Sequence, residues 1–303
     1  LMLLPYWTDG CIGSMEGLYF ESSATTPYHF LNQSELSETP SSAQRDLLYQ
    51  GLNIDLGVQH LQLLGVKYYM AFSDPAVAQA EQNDDLTEVA TSGAWHIYEV
   101  DDSELVTSVE AEPVVVRGSD KGGKTWLAMA QDWYLDPSQW DVLRAAGGPD
   151  DWERIDRDDR PDAREVDPVR ISNIDEGTST ISFDVSDVGT PVLVKTSYFP
   201  NWQADGADGP WRVAPNLMVV VPTSEHVELR YGRTPVDWLA WLVTAAGLAF
   251  AIVLWRRPAL LIPEPVPRRW RLRFERVDDE QASESVAEPE DRHEPYVEPE
   301  PKQ

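Results

Sequence analysis

The run WLAWLVTAAGLAFAIVLW, from Trp238 to Trp255, restricts this chain more than any other stretch. It carries no charge over its whole length. At the α-helical rise it is about 27 Å long, close to the hydrocarbon thickness of a bilayer. A helix packed on the surface of a soluble domain keeps a polar face, and this one has none. Trp238, Trp241 and Trp255 stand where interfacial aromatics are expected. Pro235 and Asp237 suit the first turn of a helix. Arg256 and Arg257 follow at once, then Arg268, Arg269, Arg271 and Arg273. The positive-inside rule therefore puts the C-terminal side in the cytoplasm and residues 1–234 outside it, at the cell (plasma) membrane. The expected anchor is Trp238, Trp241, Trp255, Arg256 and Arg257, with the lipid bilayer as partner.

The net charge of −28 argues against nucleic acid as a partner, because phosphate backbones would be repelled. The hydrophobic fraction of 42% is enough for a packed core. Residues 258–276 form a basic segment. Residues 277–303 are acidic and Pro/Glu-rich with few apolar side chains, which predicts a disordered tail. Cys11 is the one cysteine, so no intrachain disulfide can form. His29, His60, His96, His226 and His293 are scattered, none at metal-ligand spacing, and no metal or other cofactor is expected. The chain opens on Leu1 with LMLLP, too short for a signal peptide, and reads as part of a longer protein.

The hydropathy pattern predicts an α+β chain: a small α/β unit, an antiparallel β-sandwich, one transmembrane helix and a disordered acidic tail. GVQHLQLL reads as a helix stopped at Gly65, with VKYYMAF as the following strand. SDPAVAQAEQ starts a second helix at Ser73 or Asp74, with Pro75 in its first turn. AWHIYEV alternates as a strand does. PSQWDVLRAAGG reads as a short helix closed by glycine, and DDWERIDRDDRPDAREVDP as an exposed linker. Five short apolar runs between residues 168 and 231 predict the sandwich. The expected divisions are an extracytoplasmic loop plus small α/β unit (1–110), a hairpin, short helix and charged linker (111–167), the sandwich (168–234), the transmembrane helix (235–257) and a cytoplasmic tail (258–303).

GSDKGGKT (118–125) matches the phosphate-binding pattern GxxxxGK[ST], in which Lys124 and Thr125 would serve phosphate and magnesium. Its expected position outside the cytoplasm, where ATP is scarce, favours a β-hairpin with a DKGG turn instead. No nucleophile-elbow motif occurs, and the acidic run lacks the glycine and glutamate of a calcium loop. Asn32-Gln33-Ser34 is a formal glycosylation sequon. The stretch PYWTDGCIGSMEGLYFESSATTPYHF places Asp9, Glu16, Glu21 and His29 among aromatics. Carboxylates that bond hydroxyls beside rings that stack on a sugar face are the makings of a glycan site. The plainer reading, a loop packing its aromatics on the domain, is favoured. Trp202 is the fifth candidate glycan contact, in SYFPNWQADGADGPWRVAPNLMVVVP. There FPNW is expected to turn the chain and DGADG to form a tight loop. Phe199, Trp202 and Trp211 would cap the sandwich or face the membrane.

LLGVKYYMA, WHIYEV and above all VLVKTSYFPNWQADGADGPWRVAPNLMVVVP followed by VELRYGRTPVDWLAWLVTAAG resemble the C-terminal part of large polytopic bacterial membrane proteins. These are the YfhO-type and related GT-C-class glycosyltransferase-like proteins, especially the actinobacterial ones. The resemblance covers residues 1–257. It implies a protein that moves sugar from a polyprenyl-phosphate donor to a cell-envelope glycan or lipid. It also implies that the catalytic carboxylates lie in an upstream core, so no catalytic residue is assigned here and the fragment alone is not expected to be an enzyme. The alternative is a non-enzymatic, membrane-anchored β-sandwich that binds glycan or envelope proteins.

Overall fold

The computed structural model describes residues 3–15 and 24–256. Glu16, Glu21, Arg257, the basic segment and the acidic tail lie outside the described residues. The chain is mixed α and β. Helices α1 (Leu4–Trp7) and α2 (Thr26–Leu36) precede α3 (Ile54–Leu64). Asn53 caps α3 by accepting from the Leu56 N–H, and Gly65 ends it in the left-handed conformation at φ 68°. Strand β1 (Tyr68–Ala71), helix α4 (Asp74–Ala80), and strands β2 (Leu86–Ser92) and β3 (Trp95–Val100) follow. They form a three-stranded antiparallel sheet in the order β1-β3-β2. Ile54, Val58 and Leu61 of α3 share a core with Tyr69, Ala71, Ala76, Ala80 and Tyr98.

Next come β4 (Val106–Ser108), β5 (Val114–Val116), helix α5 (Gly123–Tyr134), β6 (Arg144–Ala145) and β7 (Arg154–Ile155). Then β8 (Ile171–Glu176), β9 (Thr180–Val185), β10 (Val192–Val194), β11 (Trp202–Asp205), β12 (Ala207–Val213), β13 (Leu217–Pro222) and β14 (His226–Tyr231) complete the strands. One sheet has seven strands in the order β4-β10-β13-β12-β6-β5-β7, and another has four in the order β11-β14-β9-β8. Pairing is antiparallel except where β5 runs parallel to β6 and β7.

β13 explains how these sheets hold together. Leu217 and Val219 on one face join a core with Trp126, Met129 and Trp133 of α5 and Tyr28 and Leu31 of α2. Met218 and Val220 on the other face join Ile181, Phe183, Val227 and Leu229 of the four-stranded sheet. A strand covered on both sides reads as an unbroken apolar run, which is why LMVVV shows no alternation. Each such side chain contributes about 1.5–3 kcal/mol by leaving water. β9, covered on one side, alternates as expected: Ile181, Phe183 and Val185 are buried.

Several local readings change. GSDKGGKT is not a hairpin: β5 leads through a 3-10 turn (Ser119–Lys121) into α5. PSQ forms only a 3-10 turn capped by Asp136, and the rest of the expected helix supplies β6. The charged linker holds β7 and buries Trp152 and Ile155. The aromatic stretch contributes two strands, β11 and β12, joined at Gly206. Gly206 has φ 78°, and a Cβ there would stand 2.2 Å from the His226 carbonyl oxygen. The sequon asparagine, Asn32, is buried in α2 and donates to the Gly57 carbonyl, which leaves no room for a glycan.

The chain divides into two units, Leu1–Val243 and Thr244–Gln303. Helix α6 (Pro235–Arg256) begins in the first and continues into the second. It is long and apolar enough to cross a membrane, and none of its most apolar window is buried.

Candidate functional site

The link into α6 is built by its own hydrogen bonds. Phe199-Pro200-Asn201-Trp202 is a β-turn, closed by the Trp202 N–H to the Phe199 carbonyl at 3.0 Å. Proline in the second place and asparagine in the third are the residues such a turn favours. Asn201 then reaches the start of α6. Its amide donates to the Gly232 carbonyl (2.8 Å) and to Asp237 Oδ2 (3.1 Å), and Gly232 N–H donates back to the Asn201 carbonyl (2.9 Å). Asp237 Oδ2 also accepts from the Thr234 N–H (2.7 Å) and hydroxyl (2.8 Å), and Thr234 Oγ1 accepts from the Asp237 N–H. This reciprocal box satisfies donors that a helix N-terminus otherwise leaves open.

Around this frame lies an open cleft of about 410 Å³, lined by Phe199, Asn201, Tyr231, Arg233, Asp237 and Trp241. Its rings face solvent: Phe199 is 51% exposed, Tyr231 45% and Trp241 61%. Phe199 tilts against Tyr231 at 5.9 Å, and Trp202 meets Tyr231 edge-on at 5.5 Å. The Arg233 guanidinium lies over Trp238 at 5.4 Å and Trp241 at 5.8 Å. Among the described residues Arg233 has no carboxylate within ion-pair distance. Asp237 is committed to the cap, and neither histidine nor cysteine lines the cleft. Among the described lining residues the cleft has one cation, Arg233, set over aromatic faces, and one carboxylate, Asp237, which serves the cap. The chain matches no protein-family model, no curated protein and no solved structure.

Of the sequence-predicted glycan contacts, Trp202 sits half-buried behind this cleft, packed on the core that the two larger sheets share. Asp9 is exposed at the end of the N-terminal turn, with φ 50°. His29 lies half-buried on α2, its ring 5.4 Å from Phe30. No bond or ring contact links Asp9, His29 and Trp202 to one another. Of the predicted anchor, Trp238, Trp241, Trp255 and Arg256 are all exposed on α6. Phe199, Tyr231 and Arg233 complete the cleft. Sequence offered a signal only for Phe199, through its place in the aromatic turn.

Three other polar clusters hold the fold. Arg144, buried, donates to the Arg157 and Asp159 carbonyls and to Gln139 Oε1, fastening the acidic loop. It lines a narrow cavity of about 70 Å³ with Arg160. Beside it, Asp136 accepts from Ser138, Gln139 and Arg160, and these bonds lower its pKa to about 2. Glu35 and His60 are wholly buried and 2.6 Å apart. Lys124 and Thr125, exposed at the start of α5, belong to neither cavity described here.

Proposed function

We propose that this chain is the extracytoplasmic C-terminal module of an integral membrane protein resembling the lipid-linked-sugar glycosyltransferases of cell-envelope assembly, with the catalytic core upstream. The observation that carries the membrane part is α6. It has 22 residues, with a mean hydropathy of 2.0 over a window that is 0% buried. A soluble protein that left such a helix uncovered would expose a large apolar face to water. Arginine follows the helix, so the tail is assigned to the cytoplasm and residues 1–234 to the outside. The β-sandwich reading is supported by the core that Met218 and Val220 share with Phe183 and Leu229.

Reporter fusions test the topology. A reporter that works only outside the cytoplasm is expected to be active after residue 234 and silent after residue 277; the reverse pattern would refute it. The transferase reading is tested on the full reading frame. It expects about ten hydrophobic segments upstream, with an acidic residue in the first outer loop. An ordinary signal peptide in that place would sink it.

A further inference from the structure

The membrane reading leaves open what the outer part does beside its anchor. Phe199, Tyr231, Trp238 and Trp241 are large rings left in solvent around one cation, Arg233, at the first turns of α6. Exposed rings of this density are unfavourable in water. They are favourable at the headgroup level of a bilayer, where a ring meets apolar chains on one side and polar groups on the other.

Polar bonding within the cleft selects the ligand. A sugar presents several hydroxyls and needs several free donors and acceptors. Here both amide protons of Asn201 are spent on Gly232 and Asp237, and Asp237 Oδ2 accepts from three groups. Arg233 is the one cation in the described lining, and its planar fork fits a phosphate. One anion-seeking group inside an apolar rim matches a phosphodiester with its glycerol and upper acyl chains. The covalent continuity of the cleft with an unburied apolar helix points to the same surface.

We propose that the cleft of Phe199, Asn201, Tyr231, Arg233, Asp237 and Trp241, with Trp238 beside it under Arg233, is a seat for a phospholipid headgroup of the outer leaflet, with Arg233 on the phosphodiester. This rests on the membrane reading of α6, and the test separates the two.

The experiment uses the full chain in lipid nanodiscs, in a Cys11→Ser background so that one introduced cysteine carries an environment-sensitive fluorophore. Cys11 is exposed and unpaired, so its loss is tolerated. Phe199→Cys reports the cleft and Leu248→Cys reports the helix. Phosphatidylcholine brominated near the top of its acyl chains is the quencher. The expected result is a blue-shifted emission at both positions, with marked quenching at 199. Adding Arg233→Gln is expected to shift the 199 probe toward the unquenched, water-exposed state, with the 248 probe unchanged. Blue-shifted emission at 248 with a water-exposed, unquenched 199 overturns the seat alone. Water-exposed emission at both positions overturns the seat together with the membrane reading. Protection of the 199 probe by soluble oligosaccharide, with no response to lipid, also overturns the seat and assigns the cleft to a glycan.

Discussion

Replacing His60 with alanine is the most demanding test of the packing described above. His60 and Glu35 have fully buried side chains. The imidazole Nε2 lies 2.9 Å from the Tyr134 carbonyl, which can only accept, so Nε2 carries a proton. Nδ1 lies 2.6 Å from Glu35 Oε2, within hydrogen-bond distance. The ring also stacks on Tyr134 with centroids 3.8 Å apart. Alanine removes all three contacts at once. Glu35 keeps only a long bond from Asn32 at 3.4 Å on Oε2, and its Oε1 has no partner. Breaking a buried pair from one side costs about 3–5 kcal/mol. For a unit of this size that is a fall in Tm of about 6–20 °C. Thermal unfolding of the full chain in detergent, followed by circular dichroism, measures it. Glu35→Gln is expected to cost far less, because its amide can still hydrogen-bond to Nδ1. The double variant is expected to show coupling of about 1.5 kcal/mol or more. A His60→Ala variant within about 1 kcal/mol of the parent, or strictly additive effects, would refute the reasoning.

Gly206→Ala places a methyl group on the His226 carbonyl at a positive φ; we expect about 3 kcal/mol lost, measured by urea unfolding. Trp202→Ala removes a half-buried ring from the shared core and from Tyr231; about 2 kcal/mol is expected, with the anchor unaffected in membrane flotation. Asp136 has a depressed folded-state pKa, so its contribution is present above the ordinary value of 3.8 and is lost as pH falls toward about 2. Asp136→Asn should flatten the pH dependence of stability in that window, read from Tm between pH 5 and pH 2. Lys124→Ala, at an exposed position, should leave Tm unchanged, and calorimetric titration of the parent with ATP should show no heat of binding; saturable binding abolished by the substitution would revive the nucleotide reading.

The parts legible in sequence are those where one physical signal dominates. α6 announces itself by length without charge, α3 by its Gly65 stop, and β3 by alternation. β2 was missed because six of its seven residues are exposed, so LTEVATS carries no buried face to alternate against. β11 and β12 hide under Asp, Gly and Pro, residues that argue against strands until pairing with β13 and β14 supplies the compensation. α2 buries Asn32, Ser34 and Glu35 beside Tyr28 and Leu31, so its inward face is no apolar stripe. The Glu35–His60 pair joins residues far apart in sequence, and neither carries a local mark. The cleft is legible in half: the aromatic turn stands out, whereas Tyr231 and Arg233 become part of it only when Asn201 bonds to Gly232 and Asp237.

β13 carries a consequence for how this chain avoids error. A strand with one buried face is pinned in register, since a slip of one residue would turn its apolar set to water. LMVVV loses nothing of that kind, because both of its faces are apolar and both are covered. The information that fixes its alignment must therefore sit at its ends. Asn216, just ahead of the strand, accepts from Arg212 Nε (2.6 Å), donates to Thr25 Oγ1 (2.9 Å) and receives the Tyr198 N–H on its carbonyl (2.8 Å). Gly206 closes the other end against Thr223 and Ser224. These two residues act as the alignment marks of the central hairpin. Damage there would yield chains that are fully collapsed, well hydrogen-bonded and one residue out of step.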